Sequence, residues 1–145
     1  MLMPDVNVLV YAHRADERDH RAYKKWLEGL VNGPEPFALS VLVAVGFTRV
    51  VTNERIYRKP MPIHAALADV ERLVAHPRCR LAAPGRDHWV RFVELCRATG
   101  ATGKVVADAH HAAIAISEGC TWVTRDRDFR RFAAHGLRWE HLELS

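Results

Sequence analysis

Residues 1–10 read MLMPDVNVLV, an apolar run that carries one acid, Asp5. Such a run reads as a buried strand that ends near Asp5 and passes into a helix through Val6, Val8, Leu9 and Val10. An ionisable group within it is costly to bury unless a partner or a task compensates, so Asp5 is the first candidate functional residue. The same alternation recurs downstream. Residues 17–31 set Tyr23, Trp26, Leu27 and Leu30 at helical spacing, and Asn32-Gly33-Pro34 ends that helix. Residues 36–39 form a short strand, and Ser40 is placed to cap a helix over 41–52. Pro60 and Pro62 precede a helical face of Ile63, Ala66, Leu67, Val70, Leu73 and Val74. Beyond His76-Pro77, residues 79–82 read as a strand, and Trp89, Phe92, Val93 and Cys96 mark a helix that stops at Gly100. An Ala-rich helix over 105–118 closes at Gly119, residues 121–124 form another strand, and residues 138–142 a last edge strand. Strands separated by helices specify an α/β domain with a mainly parallel sheet covered by helices on both faces.

With 145 residues, 49% of them hydrophobic and 26% charged, the chain has the length and composition of a single folded domain, 1–145. Disorder, collagen-like sequence and coiled coil are excluded on the same ground. The longest apolar stretch, residues 37–47, is interrupted by Ser40 and Gly46 and falls short of the ~20 residues of a membrane-spanning helix. The first residues lack the basic head and cleavage site of a secretory signal, so a cytoplasmic protein without membrane contact is expected. Cys79, Cys96 and Cys120 are odd in number and widely spaced, which fits buried small hydrophobes better than disulfides or a zinc site. Lys and Arg number 21 against 17 Asp and Glu, a net charge of +4 that accommodates an anionic partner without requiring one.

Four acids fall where such a fold does chemistry. Asp5 ends the first strand, Asp126 and Asp128 directly follow the strand over 121–124, and Asp108 lies in the first turn of the Ala-rich helix. In open parallel sheets ligands bind outside the carboxyl ends of the strands, so Asp5 and Asp126 converge on one rim. Clustered carboxylates repel and resist desolvation, and a divalent cation resolves both problems. Mg²⁺ or Mn²⁺ takes a few carboxylates and fills its other positions with water and phosphate oxygens. Such a site stabilises developing charge and activates a water for phosphodiester hydrolysis. Taken singly, each acid has a plainer reading as a helix cap or a solvated charge, Asp128 within Arg-Asp-Arg-Asp most of all.

Three segments resemble the acidic motifs of PIN-domain ribonucleases: Pro4-Asp5-Val6-Asn7-Val8-Leu9, Ala107-Asp108-Ala109-His110-His111-Ala112-Ala113-Ile114-Ala115 and Val123-Thr124-Arg125-Asp126-Arg127-Asp128-Phe129. Their order and spacing are similar to those of the VapC toxins of toxin–antitoxin modules. Residues 46–53 and the ending Gly136-Leu137-Arg138-Trp139 resemble the mycobacterial-type branch. The resemblance implies a PIN-like α/β/α sandwich, Mg²⁺-dependent endoribonuclease activity with Mn²⁺ as a possible substitute, pairing as a homodimer, and neutralisation by a VapB-like antitoxin. Carried over residue by residue, it makes Asp5 and Asp108 direct metal ligands and Asp126 a third acid that holds a metal-bound water or a second ion. Asp128 is auxiliary, and Asn7 and Thr124 orient the carboxylates.

One feature departs from the pattern. Many PIN domains carry a Glu on the helix that here reads Val43-Ala44-Val45-Gly46-Phe47, where Gly46 takes the expected position. Glu54 lies eight residues on, about 12 Å along a helix, too far to substitute. One negative charge fewer implies a single well-defined Mg²⁺ site, and leaves open a catalytically weak domain that binds RNA or a partner. An Asp-nucleophile phosphatase is a third possibility, although Asp5-Val6-Asn7 lacks the second acid expected two residues on.

RNA needs cations near the acids, and Arg125, Arg127, Arg49 and Arg55 are the candidates, with Arg58 and Lys59 beside the last. Each competes with a reading as a solvated charge or an ion-pair partner. His110 and His111 follow Asp108, but adjacent helical residues point apart, so at most one faces the site. Trp26, Trp89, Trp122 and Trp139 read as core or interface, and apolar faces of the first helices are expected to receive a partner helix.

Overall fold

The computed structural model describes residues 1–145. In chain order its elements are β1 (Leu2–Pro4), α1 (Val6–His13), α2 (His20–Asn32), β2 (Phe37–Ser40), α3 (Val41–Val51), α4 (Ile63–Val74), β3 (Cys79–Ala82), α5 (His88–Thr99), α6 (Lys104–Ser117), β4 (Thr121–Thr124), a 3₁₀ helix (Arg127–His135) and β5 (Arg138–His141). All strand pairings are parallel and the sheet order is β3-β2-β1-β4-β5. The chain runs outward from β1 through β2 to β3 on one side, and returns through α5 and α6 to β4 and β5 on the other. The helices accordingly form two groups, α1 with α2, α3 and α4, and α5 with α6 and the 3₁₀ helix. The strand order reverses between β1 and β4, which opens the crevice where parallel sheets bind ligands.

The central strands carry no polar face because both of their faces are covered. Met3, Phe37, Ala38, Leu39, Trp122 and Val123 are buried, and Phe47, Phe129 and Phe132 close over them from the helices. Ser40 ends β2 and caps α3 by accepting from the Leu42 N–H at 3.2 Å. α3 then packs closely on α1 at Gly46: a Cβ there would stand 2.8 Å from Val6 Cγ2.

Several boundaries differ from the sequence reading. α2 starts at His20 rather than at 17, because Arg14 grips Asp16 and Glu17 accepts from the Tyr57 hydroxyl at 2.7 Å, which holds the intervening chain as a loop. Asp108 opens the second turn of α6 rather than the first, since Gly103, at φ 56°, places the helix start at Lys104. Of the cysteines only Cys120 is buried, while Cys79 and Cys96 are half-buried. Trp122 is core, but Trp89 is 69% exposed, because α5 presents only Leu95 fully to the interior. Exposed apolar side chains are spread over α3 (Val45), α4 (Ile63, Leu67), β3 (Leu81), α5 (Trp89, Val90) and α6 (Val106). Of the first helices, α1 turns its large apolar residues inward, while Trp26 and Leu30 of α2 are half-buried and line a surface groove with Leu2 and Leu144.

Candidate active site

Asp5 leaves β1 at the switch point and caps α1, accepting from the Val6 N–H at 2.6 Å through Oδ1. Its other oxygen accepts from the Thr124 hydroxyl at 2.6 Å, across from the end of β4. Burial pushes the Asp5 carboxyl up to about 6, against these two hydrogen bonds and with help from the charges of Asp108 and Asp126. Thr124 Oγ1 also accepts from the Asp126 N–H at 3.0 Å and from Asn7 Nδ2 at 3.5 Å. Asn7 Oδ1 accepts from the Arg125 N–H at 3.2 Å. Asn7 and Thr124 thus tie the start of α1 to the end of β4, and Thr124 holds one Asp5 oxygen directly.

α6 supplies Asp108, which is buried, and whose Oδ2 has no hydrogen-bond partner. Burial raises its pKa, and the neighbouring Asp126 adds to that rise while Lys104 opposes it. Asp126 caps the 3₁₀ helix by accepting from the Asp128 N–H at 2.8 Å, and takes the Lys104 ammonium at 2.5 Å. Burial works against its ionisation, but the ammonium and the Asp128 N–H win and hold the Asp126 carboxyl below its ordinary range. Asp128 is exposed, and its Oδ2 stands 3.8 Å from the same ammonium.

Asp5, Asn7, Lys104, Asp108, His111 and Asp126 line a cleft of about 430 Å³, with Gly46 and Arg49 contributed by α3, while Asp128 stands outside its lining. The donor set is hard carboxylate oxygen, the chemistry of Mg²⁺ and Mn²⁺ rather than of softer metals. A buried, unpartnered carboxylate oxygen on Asp108 further suits a cation. No three acid, imidazole or thiol groups grip one point together in this conformation, and Lys104 provides the positive charge among the acids. Gly46 lines the cleft at the α3 position where an acid was expected, and a Cβ there would crowd Val6 Cγ2 at 2.8 Å.

The expected cations divide. Arg49 lies on the cleft wall, whereas Arg55, Arg125 and Arg127 are not part of it. Arg125 is turned away, its guanidinium 3.7 Å from the Tyr11 ring centroid and bonded to the Tyr23 hydroxyl at 3.0 Å, a packing role in place of a phosphate contact. Arg127 pairs with Glu143 at 3.3 Å on the surface, and Arg55 is exposed beyond the end of α3. His111 faces the cleft and stacks on Trp122, and burial brings its pKa down to about 4, so it is neutral near pH 7. His110 points the other way and meets His88, with 2.7 Å between ring nitrogens. Lys104 escaped the sequence reading. Its spacing of four residues from Asp108 on a helix was the available signal, though that orientation of an ion pair is the weaker one.

Comparison with known proteins places this geometry. The family model described as PIN domain matches residues 2–135. The VapC ribonuclease Mb2897 of Mycobacterium bovis is 46% identical over 97% of this chain and 95% of its own length. Ribonuclease VapC25 of Mycobacterium tuberculosis is 40% identical over 92% and 94%. The chain therefore belongs to the PIN-domain family and, within it, to the VapC ribonucleases. The fold is also that of the VapBC2 structure from Rickettsia felis bound to a promoter DNA fragment, with TM-score 0.68, 21% identity and 96% of each chain covered. The sarcin-ricin loop cleaving toxin VapC20 of Mycobacterium tuberculosis superposes with TM-score 0.67 at 17% identity, over 99% of each chain.

Proposed function

We propose that this chain is a Mg²⁺-dependent endoribonuclease, the toxin of a toxin–antitoxin module, neutralised by an antitoxin of the VapB type. The observation that carries the reading is that Asp5, Asp108 and Asp126 line one cleft at the β1/β4 switch point of a VapC-family fold. Mg²⁺, or Mn²⁺ in its place, would supply Lewis-acid stabilisation of the phosphate and an activated water. Asp5 and Asp108 would hold the ion directly, with Asp126 as the third acid and Asp128 auxiliary at the rim. Thr124, which accepts from Asn7, holds one Asp5 oxygen in place, and Arg49 offers a phosphate contact from α3. His111, neutral and stacked on Trp122, walls the acids without competing for a hard cation.

A VapB-type antitoxin could inhibit by placing an Arg or Lys among the carboxylates, replacing the charge of the metal. The VapBC2 structure from Rickettsia felis supports such a partner. Exposed apolar side chains on α4, α5 and α6 offer surface for pairing of two copies. The absence of an acid at Gly46 favours a second reading, a domain that binds RNA but cleaves poorly. Induced expression separates the two. The wild type should arrest growth, while Asp108→Asn, folded by circular dichroism, should not. A variant as toxic as the wild type would overturn the nuclease reading.

A further inference from the structure

Lys104 is a cation set among acids, and helix physics does not account for its position. It is the first residue of α6, where the helix dipole favours negative charge, and it precedes Asp108 by four residues, the less favourable order for a helical ion pair. Its ammonium nevertheless stands 2.5 Å from Asp126 Oδ2, 3.8 Å from Asp128 Oδ2 and 3.9 Å from Asp108 Oδ2. The carboxylates hold it there, which is where a divalent cation would serve the same acids. The side chain is 67% exposed, while Asp108 Oδ2 beneath it is buried and makes no hydrogen bond. The ammonium thus sits at the mouth of the cleft over an oxygen it does not satisfy.

We propose that Lys104 is a displaceable internal counter-ion: its ammonium neutralises the acids of the metal-free cleft, a divalent cation must expel it to enter, and the expelled ammonium meets a phosphate of the RNA. This rests on the reading of the carboxylates as a metal site. A dication and an ammonium repel within one carboxylate cluster, so the two compete. The four-carbon stem lets the head swing without moving α6. A phosphate at the cleft mouth attracts the released charge, so RNA makes metal entry easier, and by reciprocity metal makes RNA binding easier. The free chain would then be poorly loaded with metal until substrate arrives.

Mn²⁺ binding to the purified, antitoxin-free chain, followed by electron paramagnetic resonance of the free ion, tests this without reference to activity. Lys104→Gln should bind Mn²⁺ roughly fivefold more tightly than the wild type, and Lys104→Arg no more tightly. In chelator, Lys104→Gln should melt below the wild type, and Mn²⁺ should raise its melting temperature further. Addition of a mixed-sequence 2′-O-methyl RNA 12-mer should tighten Mn²⁺ binding in the wild type more than in Lys104→Gln. Unchanged or weaker Mn²⁺ binding by Lys104→Gln would overturn the counter-ion role, and an equal gain on RNA addition would overturn the transfer to phosphate. If neither protein bound Mn²⁺ better than Asp5→Asn/Asp108→Asn, the metal reading would fail, and this inference with it.

Discussion

Burial acts on two titratable side chains of the cleft in opposite senses. Asp5 is pushed up to about 6, so its ionisation opposes folding: the penalty is absent below about pH 4 and grows as the pH rises through 6. His111 is pushed down to about 4, so the fold refuses its proton: that penalty is absent above pH 6.5 and grows as the pH falls towards 4. In chelator the two contributions largely offset each other between pH 7.5 and 5. His111→Phe, which keeps a ring against Trp122, should unmask Asp5. Its unfolding free energy at pH 5 relative to pH 7.5 should shift upward by about 2 kcal/mol against the wild type in denaturant titrations, and no shift would contradict the assignment. Thr124 makes a separate prediction, because one hydroxyl serves Asp5, Asp126 and Asn7. Thr124→Val should cost about 1–3 kcal/mol of stability, and Thr124→Ser, which keeps the oxygen, much less. The motif resemblance already pointed to Thr124 and Asn7 as residues that orient the carboxylates, but the partners that each oxygen takes emerge only from the packing of α1 against β4.

The elements themselves were largely legible, and where they were not the cause is tertiary. Apolar periodicity located α3, α4, β3 and β4, and the capping serine of α3 stands where its side chain predicts. The start of α2 was missed because Arg14 and Tyr57 recruit Asp16 and Glu17 into a loop, with contacts from a segment about forty residues away. α6 starts one residue before the apolar pattern begins, at Lys104, because Gly103 sets its start. Gly46 looked like a lost acid in the sequence, and the packing supplies its reason: α1 and α3 approach too closely there for a Cβ beside the stiff, β-branched Val6. Gly46→Ala should therefore cost up to about 2 kcal/mol, overpacking outweighing the gain in helix propensity. Val6→Ala in the same chain should recover part of the loss, as read by denaturant unfolding; no coupling between the two substitutions would contradict the close contact.

Across the whole molecule, the acids were legible because strand ends of a parallel sheet share one rim, so acids in three separate motifs imply one site. Their cationic environment was not. Lys104 reaches Asp126 across 22 residues, and Arg125 is captured by Tyr11 and Tyr23, pairings set by how the layers pack. Tyr23 shows the same dependence: its buried hydroxyl donates to the Leu142 carbonyl at 2.8 Å and accepts from Arg125 Nε and the Leu144 N–H, joining α2, the end of β4 and the C-terminal segment. Tyr23→Phe should lower global stability by about 1–3 kcal/mol and loosen the C-terminal residues in hydrogen exchange. The proposed activity requires the assembled rim, and it is tested there most directly. Purified, antitoxin-free chain should be incubated with total RNA in Mg²⁺ or Mn²⁺, with and without chelator, beside Asp108→Asn. Cleavage that requires the metal and is absent in the variant is the result expected. A folded wild type that leaves the RNA intact, or a variant that cuts as well as the wild type, would contradict the assignment of these carboxylates to catalysis.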